Sequence, residues 1–234
     1  MILSAIKGEN IWQFVDLTDL AVPPDKTKLV PLCEIAKLPL QKVAAVCVWP
    51  QFVVRAGELL AGTGIKVATV INFPAGTAAL VSVLAEIARA IAAGADELDI
   101  VFPRDLFFAG KNKEVIYFLH ACRTACAGHV LKIILESGAF PDDASLASAA
   151  RLVCASGADF LKTSTGKIAA GATLSAARIL LQVLQEYSGN TGLKVSGGIR
   201  SIESASAYLA LAEEMMGAAW VTPVHFRVGA SALK

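Results

Sequence analysis

The chain has 234 residues, of which 55% are hydrophobic and 18% are charged, and its formal net charge is +1. This length and apolar content suit one large core, so we expect a single domain over residues 1–234. The basic residues are scattered along the sequence rather than clustered, which argues against nucleic acid as a partner.

Membrane insertion needs consideration because the mean hydropathy, +0.59, is high. The most apolar stretch, residues 43–54, contains Pro50, and the alanine-rich stretch 80–95 contains Glu86 and Arg89. A membrane-spanning helix needs about 18 or more consecutive apolar residues, and these polar residues and the proline interrupt both stretches before that length is reached. The N-terminus also lacks a basic segment followed by an apolar core and a cleavage site. We therefore expect no membrane partner and no secretory leader.

The five cysteines lie mostly in apolar surroundings, at positions 33, 47, 122, 126 and 154. An odd number of such cysteines is typical of reduced thiols in a cytoplasmic protein. Cys122 and Cys126 are four residues apart on a predicted helix, but no histidine or further cysteine completes a ligand set, so we expect no metal. We interpret Cys47, at the end of a predicted strand, as a small core residue, with a place near the site as the alternative.

In chain order, short apolar strands alternate with helices. The strands are expected at residues 11–17, 42–49, 65–72, 97–102, 130–135, 160–162, 193–196 and 218–222. The helices are expected at residues 25–36, 51–61, 80–93, 112–127, 142–155, 173–187 and 201–216. Asp142 or Asp143, Thr173 and Ser201 are the predicted N-caps of the last three helices.

The strands are continuously apolar, as expected for a parallel sheet that is covered on both faces. Helices pass into strands through short glycine links at residues 94–96, 157–159 and 217–219, which is typical of alternating α/β units. Eight such units predict a (β/α)8 TIM barrel, and a doubly wound open sheet is the alternative.

Charged residues fall near the C-terminal ends of the predicted strands, where a barrel places its active site. These residues are Asp16, Asp99, Lys132, Lys162 and Lys194. At the end of an apolar strand, burial or a neighbouring cation lowers the pKa of a lysine and makes its amine a nucleophile for carbonyl carbons. Lys162 has this position, and Lys194 is expected beside it on the next strand. A purely structural network of ion pairs is the alternative interpretation.

Glycine-rich turns are predicted after the last three strands, at Gly166-Lys167, Gly197-Gly198 and Gly229-Ala230-Ser231. Backbone N–H groups in such turns bind phosphate, and the loops after strands seven and eight form a common phosphate site in barrels. Lys167 and Arg200 can add positive charge. We therefore predict a phosphate site here, with ordinary turns and a solvated Arg200 as the alternative.

Four segments stand out for their combination: FLKTSTGK at 160–167, KVSGGIR at 194–200, DELDIVFP at 96–103 and RVGAS at 227–231. With DLT, CVWP, NFPAG and LKIILESG elsewhere, they resemble the 2-deoxyribose-5-phosphate aldolase family over nearly the whole chain. The resemblance implies a (β/α)8 barrel that reversibly cleaves 2-deoxy-D-ribose 5-phosphate to D-glyceraldehyde 3-phosphate and acetaldehyde, in deoxyribonucleotide catabolism. It also implies class I lysine chemistry, with no metal and no cofactor.

The same resemblance assigns roles to residues. It implies that Lys162 forms the Schiff base, that Lys194 perturbs it and assists proton transfer, and that Asp99 is the acid/base group. The phosphate-binding residues that it implies are Gly166, Lys167, Gly197, Gly198, Gly229 and Ser231. The supporting residues are Asp16, Lys132 and Thr165.

Two features differ from the family pattern. Ala232 stands where many members have a second serine. The sequence stops at Lys234, soon after the RVGAS segment, whereas members often continue through a final helix and a tail ending in a tyrosine that aids proton transfer. We therefore expect the barrel to lack the final C-terminal helix and this tail. The alternatives are another phosphate-binding barrel lyase or isomerase that uses a lysine imine, and a non-catalytic barrel that binds sugar phosphates. We also expect a homo-oligomer, in the form of a dimer.

Overall fold

A computed structural model of the chain describes residues 8–187 and 189–234. Eight parallel strands close into a barrel in the order of the sequence, which confirms the predicted (β/α)8 fold. The strands are β1 Val15–Asp19, β2 Ala45–Val48, β3 Lys66–Ile71, β4 Glu97–Val101, β5 Val130–Ile134, β6 Phe160–Lys162, β7 Gly192–Ser196 and β8 Phe226–Ala230. That residues 1–234 form one domain stays a prediction.

The helices form the outer layer and connect successive strands. They are α1 Leu29–Ala36, α2 Val53–Leu60, α3 Leu80–Ala92, α4 Arg104–Phe108, α5 Asn112–Ala125, α6 Asp143–Ala155, α7 Leu174–Glu186 and α8 Ile202–Met216. Short 3-10 helices lie at Gly8–Phe14, Lys26–Lys28, Pro50–Phe52 and Ser137–Ala139. Within residues 8–187 and 189–234, no helix is both long and apolar enough to cross a membrane.

The predicted N-caps of the last three helices are confirmed. The side chains of Asp142, Thr173 and Ser201 each accept a hydrogen bond from the backbone N–H three residues later, at 2.7, 3.1 and 3.2 Å. Each bond satisfies a first-turn N–H group that has no partner within the helix. Helix α4 was not predicted from the sequence.

Two predicted strands were wrong in position. Residues 218–222 form turns, and the last strand lies later, at β8. The predicted strand was assigned to an apolar run, which Pro223 follows directly. The observed strand β8 was not recognised because it contains the charged residue Arg227, and buried strands were identified by their continuous apolar residues. At the other end of the chain, residues 8–14 form a 3-10 helix, and its apolar residues pack into the core instead of pairing in the sheet.

The interior of the barrel is divided between an apolar and a charged part. Small apolar side chains from β2 and β3, with Leu20, form a separate buried cluster that Trp49 and Phe73 cover. Strand register places Val70 beside Asp99 and Asp99 beside Lys132. The charged part therefore begins at β4, beside the apolar cluster. Its side chains come from β4 and the following strands around the barrel, through β8 to β1.

Candidate active site

Two lysines share one carboxylate inside the barrel. The ammonium nitrogens of Lys162 and Lys194 each lie 2.7 Å from Oδ2 of Asp99. Register makes Lys162 and Lys194 direct neighbours on β6 and β7, as the sequence predicted. The side chains of Lys194 and Asp99 are fully buried, whereas that of Lys162 retains 4% exposure. Of these two lysines, Lys162 is therefore the one whose side chain is accessible from outside the cluster.

Asp16 and Lys132 extend this group as further members of the ion network. Lys132 Nζ lies 2.9 Å from Asp99 Oδ1 and 3.6 Å from Asp16 Oδ2. Asp16 Oδ2 is also 2.5 Å from Lys194 Nζ. All five charged residues predicted near the strand ends therefore lie in one cluster, each within 3.6 Å of another member.

Above Lys162 a cavity of about 340 Å³ opens at the C-terminal ends of the strands. Every residue predicted to bind phosphate lines it, and so does Thr165: Gly166, Lys167, Gly197, Gly198, Gly229 and Ser231. Thr18, Ser196 and Arg200 also line the cavity. Barrel enzymes hold their substrates at this face. The structure thus brings Lys162, the cluster member that reaches the cavity, and the glycine turns together in one cavity.

The DeoC/LacD aldolase family model matches residues 11–232. The chain belongs to this family. A deoxyribose-phosphate aldolase of Agrobacterium fabrum is 43% identical over 219 residues, which are 93% of this chain and 85% of the relative.

Solved structures of similar proteins agree with this assignment. A candidate deoxyribose-phosphate aldolase from Coccidioides immitis is 31% identical with a TM-score of 0.86, and the match covers 97% of this chain and 83% of that one. A deoxyribose phosphate aldolase from Aeropyrum pernix, described as a tetramer, is 26% identical with a TM-score of 0.80, over 96% and 88% of the two chains.

In this DeoC/LacD aldolase the lysines of the cluster differ in pKa. Burial lowers the pKa of Lys162, Asp99 opposes that shift, and the ammonium of Lys194 adds to it. Burial also acts on Lys132 and Lys194, but their neighbouring carboxylates outweigh it and raise both pKa values. Burial works against ionisation of Asp16 and Asp99 too, yet the lysines hold both pKa values below the usual range. Lys162 is the lysine of the cluster that is favoured as a neutral amine.

Two members of the charged cluster were missed by sequence reasoning. Glu97 lies 2.5 Å from Lys132 Nζ, and Arg227 donates to Asp16 at 2.7 Å and to Glu97 at 3.2 Å. For Glu97 a signal existed, because a period of two places it on the same face of β4 as Asp99. Arg227 begins the RVGAS segment, but its place in the ion network was not predicted because the last strand was expected at residues 218–222.

Glu136 is a further residue that the sequence did not reveal. Its buried carboxylate accepts from the Thr165 backbone N–H at 3.1 Å and from the Thr165 hydroxyl, and its backbone is left-handed, with φ 60°. The Thr165 hydroxyl in turn accepts from the Lys167 backbone N–H at 3.0 Å. Lys167 Nζ donates to the carbonyl of Leu20 across the mouth. Glu136 therefore holds the loop after β6 in place through Thr165.

Glycine occupies these positions at the cavity for two different structural reasons. Gly166, Gly197 and Gly198 have φ values of 72°, 91° and 84°, a region that residues with a Cβ rarely adopt. Gly229 lies within β8 rather than after it, and a Cβ there would be 2.9 Å from the Ser196 Cβ and 3.3 Å from the Lys194 Cε. Gly229 thus provides room for the Lys194 side chain.

The interpretation of Cys47 as a core residue is confirmed, because it is fully buried in the apolar cluster of β2 and β3. Burial, and then the charge of Asp99, raise the pKa of its thiol. Among the described residues, no group of three or more His, Cys, Asp and Glu side chains is arranged to hold a metal ion.

Proposed function

We propose that this chain reversibly cleaves 2-deoxy-D-ribose 5-phosphate to D-glyceraldehyde 3-phosphate and acetaldehyde through an imine on Lys162. One observation carries the proposal: Lys162 stands between Asp99, 2.7 Å away, and a cavity lined by the glycine turns. An amine with a lowered pKa can attack an aldehyde while the glycine turns hold a phosphate at the other end of the same substrate.

In the first stage, the neutral amine of Lys162 attacks C1 of the open-chain sugar. The carbinolamine that forms takes up a proton at its oxygen and loses water, which leaves an iminium between Nζ and C1. Lys194 and Asp99 lie where they can exchange these protons, because Asp99 Oδ2 accepts hydrogen bonds from both Lys162 and Lys194.

In the second stage, the bond between C2 and C3 breaks, because acetaldehyde retains C1 and C2 of the sugar. Its electron pair moves toward the iminium and forms an enamine, while the C3 hydroxyl loses its proton and becomes the aldehyde of glyceraldehyde 3-phosphate. Asp99, with Lys194 and a water molecule, receives that proton. The enamine then takes a proton at C2, and hydrolysis of the imine releases acetaldehyde and restores Lys162.

The phosphate end of the substrate is assigned to the rim of the cavity. Gly166, Gly197 and Gly198 line it and can offer backbone N–H groups, with Ser231 as a hydroxyl donor and Lys167 as a cation. The positive φ values of the consecutive residues Gly197 and Gly198 suit an anion-binding turn. Gly229 contributes space rather than a turn.

Borohydride reduction in the presence of acetaldehyde tests the assignment of Lys162. We expect a two-carbon adduct on the peptide that contains Lys162, and none in Lys162→Arg. An adduct confined to Lys194 or Lys167 would overturn the assignment. Product analysis with 2-deoxy-D-ribose 5-phosphate separates this aldolase from another barrel lyase or isomerase, and binding without turnover would identify a non-catalytic barrel.

We also propose that the chain forms a homodimer in the cytoplasm. The cytoplasmic assignment is supported by the five cysteines, all of which are unpaired and buried. Light scattering on the purified protein measures the oligomer, and a monomer at micromolar concentration would contradict the dimer. Recovery of the protein from an oxidising compartment would contradict the location.

A further inference from the structure

Arg227 on β8 is buried inside the barrel although it touches neither the cavity nor Lys162. Its guanidinium donates to Asp16 at 2.7 Å and to Glu97 at 3.2 Å, and its Nε donates to the carbonyl of Pro223. Its side chain is 9% exposed. Burial of a guanidinium is costly, and its ion pairs offset that cost without necessarily adding stability. Stability alone therefore does not explain why an arginine lies here.

The cluster that contains Arg227 has more cations than carboxylates. Among the residues that the structure describes, ion pairs connect the carboxylates of Asp16, Glu97 and Asp99 with the cations of Lys132, Lys162, Lys194 and Arg227. With all groups ionised it would have three negative and four positive charges, and a net charge is unfavourable in a buried site. Loss of one proton from one lysine makes the cluster neutral.

The pairing pattern indicates which lysine loses that proton. Lys132 contacts Asp16, Glu97 and Asp99, and Lys194 contacts Asp16 and Asp99. Within residues 8–187 and 189–234, Lys162 contacts one carboxylate, Asp99, and shares the same oxygen with Lys194. An ammonium at Lys162 therefore gains the least from its neighbours, and the lowered pKa of Lys162 agrees with this.

The other groups that face Lys162 do not alter this balance. Strand β2 contributes the Cys47 thiol, whose raised pKa keeps it neutral, and β3 contributes the apolar Ala68 and Val70. At the cavity above it, the charged residues are Asp19, Lys167 and Arg200. These three lie toward solvent at the rim, where screening weakens their effect on a buried amine.

We propose that Arg227 is a positioning residue whose permanent charge gives the buried cluster one cation more than it has carboxylates, so that Lys162 is held as a neutral amine. The inference rests on the proposed role of Lys162 as the imine-forming residue. Arginine suits the task because its guanidinium does not deprotonate in proteins, so the excess proton can leave only from a lysine.

The test measures the titration of Lys162 without using aldolase activity. The protein is treated briefly with a neutral amine-reactive ester from neutral to alkaline pH, and labelling of the Lys162 peptide is quantified by mass spectrometry. In Arg227→Gln, we expect the midpoint to rise by about one unit, which is the usual size of the effect of one nearby charge. In Glu97→Gln, the midpoint should fall by a similar amount, because the excess positive charge becomes larger.

Two further variants separate charge from structure. Arg227→Lys retains the charge but not the forked geometry, and it should keep a midpoint near that of the wild type. The double variant Arg227→Gln with Glu97→Gln restores the wild-type excess of one cation, and its midpoint should return to the wild-type value. Structural damage alone would instead accumulate in the double variant.

Equal midpoints in all five proteins, or a double variant that stays as far shifted as Arg227→Gln, would overturn the proposal. If Arg227→Gln does not fold, Glu97→Gln decides: a lower midpoint supports the charge excess, and an unchanged one rejects it. Failure of the proposed function looks different, because wild-type Lys162 would then titrate normally in this assay but give no reduced adduct with acetaldehyde.

Discussion

At the scale of single residues, the chemistry depends on how Asp99 divides its two carboxylate oxygens. Oδ2 receives both Lys162 and Lys194, whereas Oδ1 receives Lys132. Once Lys162 becomes an imine, Oδ2 keeps Lys194 as a proton-carrying partner. The same carboxylate can therefore hold the resting amine and later handle protons on the substrate.

Replacing Lys194 by methionine should raise the pKa of Lys162, because a neighbouring cation disfavours the charged form of Lys162 and its removal relieves that effect. Imine formation should slow near neutral pH, and the loss should be largest at low pH, where more of the amine is protonated. The measurement is the rate of acetaldehyde trapping as a function of pH. Lys113→Met, an exposed change on α5, is the matched control. An unchanged profile in Lys194→Met would remove the tuning role.

Replacing Glu136 by alanine should weaken binding of the sugar phosphate and leave trapping by acetaldehyde nearly unchanged. The substitution leaves the Thr165 N–H and hydroxyl without their buried acceptor, at a cost of about 1–3 kcal/mol, and so loosens the loop that carries Gly166 and Lys167. Calorimetry in a Lys162→Ala background measures the affinity. The exposed Glu114→Ala is the control, and an equal loss of trapping would show general damage instead.

At the scale of elements, β8 governs the space around Lys194. Gly229→Ala should disturb the site, because the new Cβ would lie 2.9 Å from the Ser196 Cβ and 3.3 Å from the Lys194 Cε. Overpacking of this kind typically costs about 1–3 kcal/mol. We expect lower stability in urea and slower acetaldehyde trapping, since Lys194 must move away from Asp99.

Gly57→Ala on α2 is the matched control for that prediction. Nothing lies within 4 Å of a Cβ at this position, and alanine is favoured over glycine inside a helix by about 0.5–1 kcal/mol. The control should therefore be as stable as the wild type or more so, with normal trapping. If both variants behave alike, Gly229 does not act through its contact with Lys194.

The sequence was informative where an element followed simple patterns. Helix caps at Thr173 and Ser201, and the lysine that ends β6, follow local rules that need no tertiary information. Strand β8 did not, because Arg227 is tolerated in a buried strand only through Asp16 and Glu97 on distant strands. Local patterns place residues on strands, but they do not show which charges pair across the interior.

The whole molecule has a buried ionic interior, so its stability should depend on pH. Lysine neighbours lower the pKa values of Asp16 and Asp99 below the ordinary 3.8, despite burial. A carboxylate with a lowered folded pKa contributes stability above its unfolded pKa, and that stability is lost as pH falls through the folded value. We therefore expect the free energy of unfolding in urea to decline from about pH 4 downward.

The acid limb of that curve should be shallower in Asp99→Asn, which removes one of the two shifted carboxylates. Lys132 and Lys194, whose pKa values are raised, should make the free energy of unfolding fall at alkaline pH. Their contribution to stability is complete below the ordinary lysine pKa of 10.5 and is lost as the pH rises through their folded pKa values. A stability that stays constant from neutral pH to strong acid would contradict the importance of this interior for the fold.

The ion pair between Arg227 and Asp16 joins residues that are 211 positions apart, on the strands where the barrel closes. A growing polypeptide that has been synthesised through β7 already contains three lysines and three carboxylates of the cluster, a balanced set. The fourth cation arrives only with the last strand. Strand β8 also pairs with both β1 and β7, so the same strand that brings this cation closes the barrel around the cluster. On the proposed role of Arg227, the chain therefore acquires its neutral, reactive amine only when the barrel is complete.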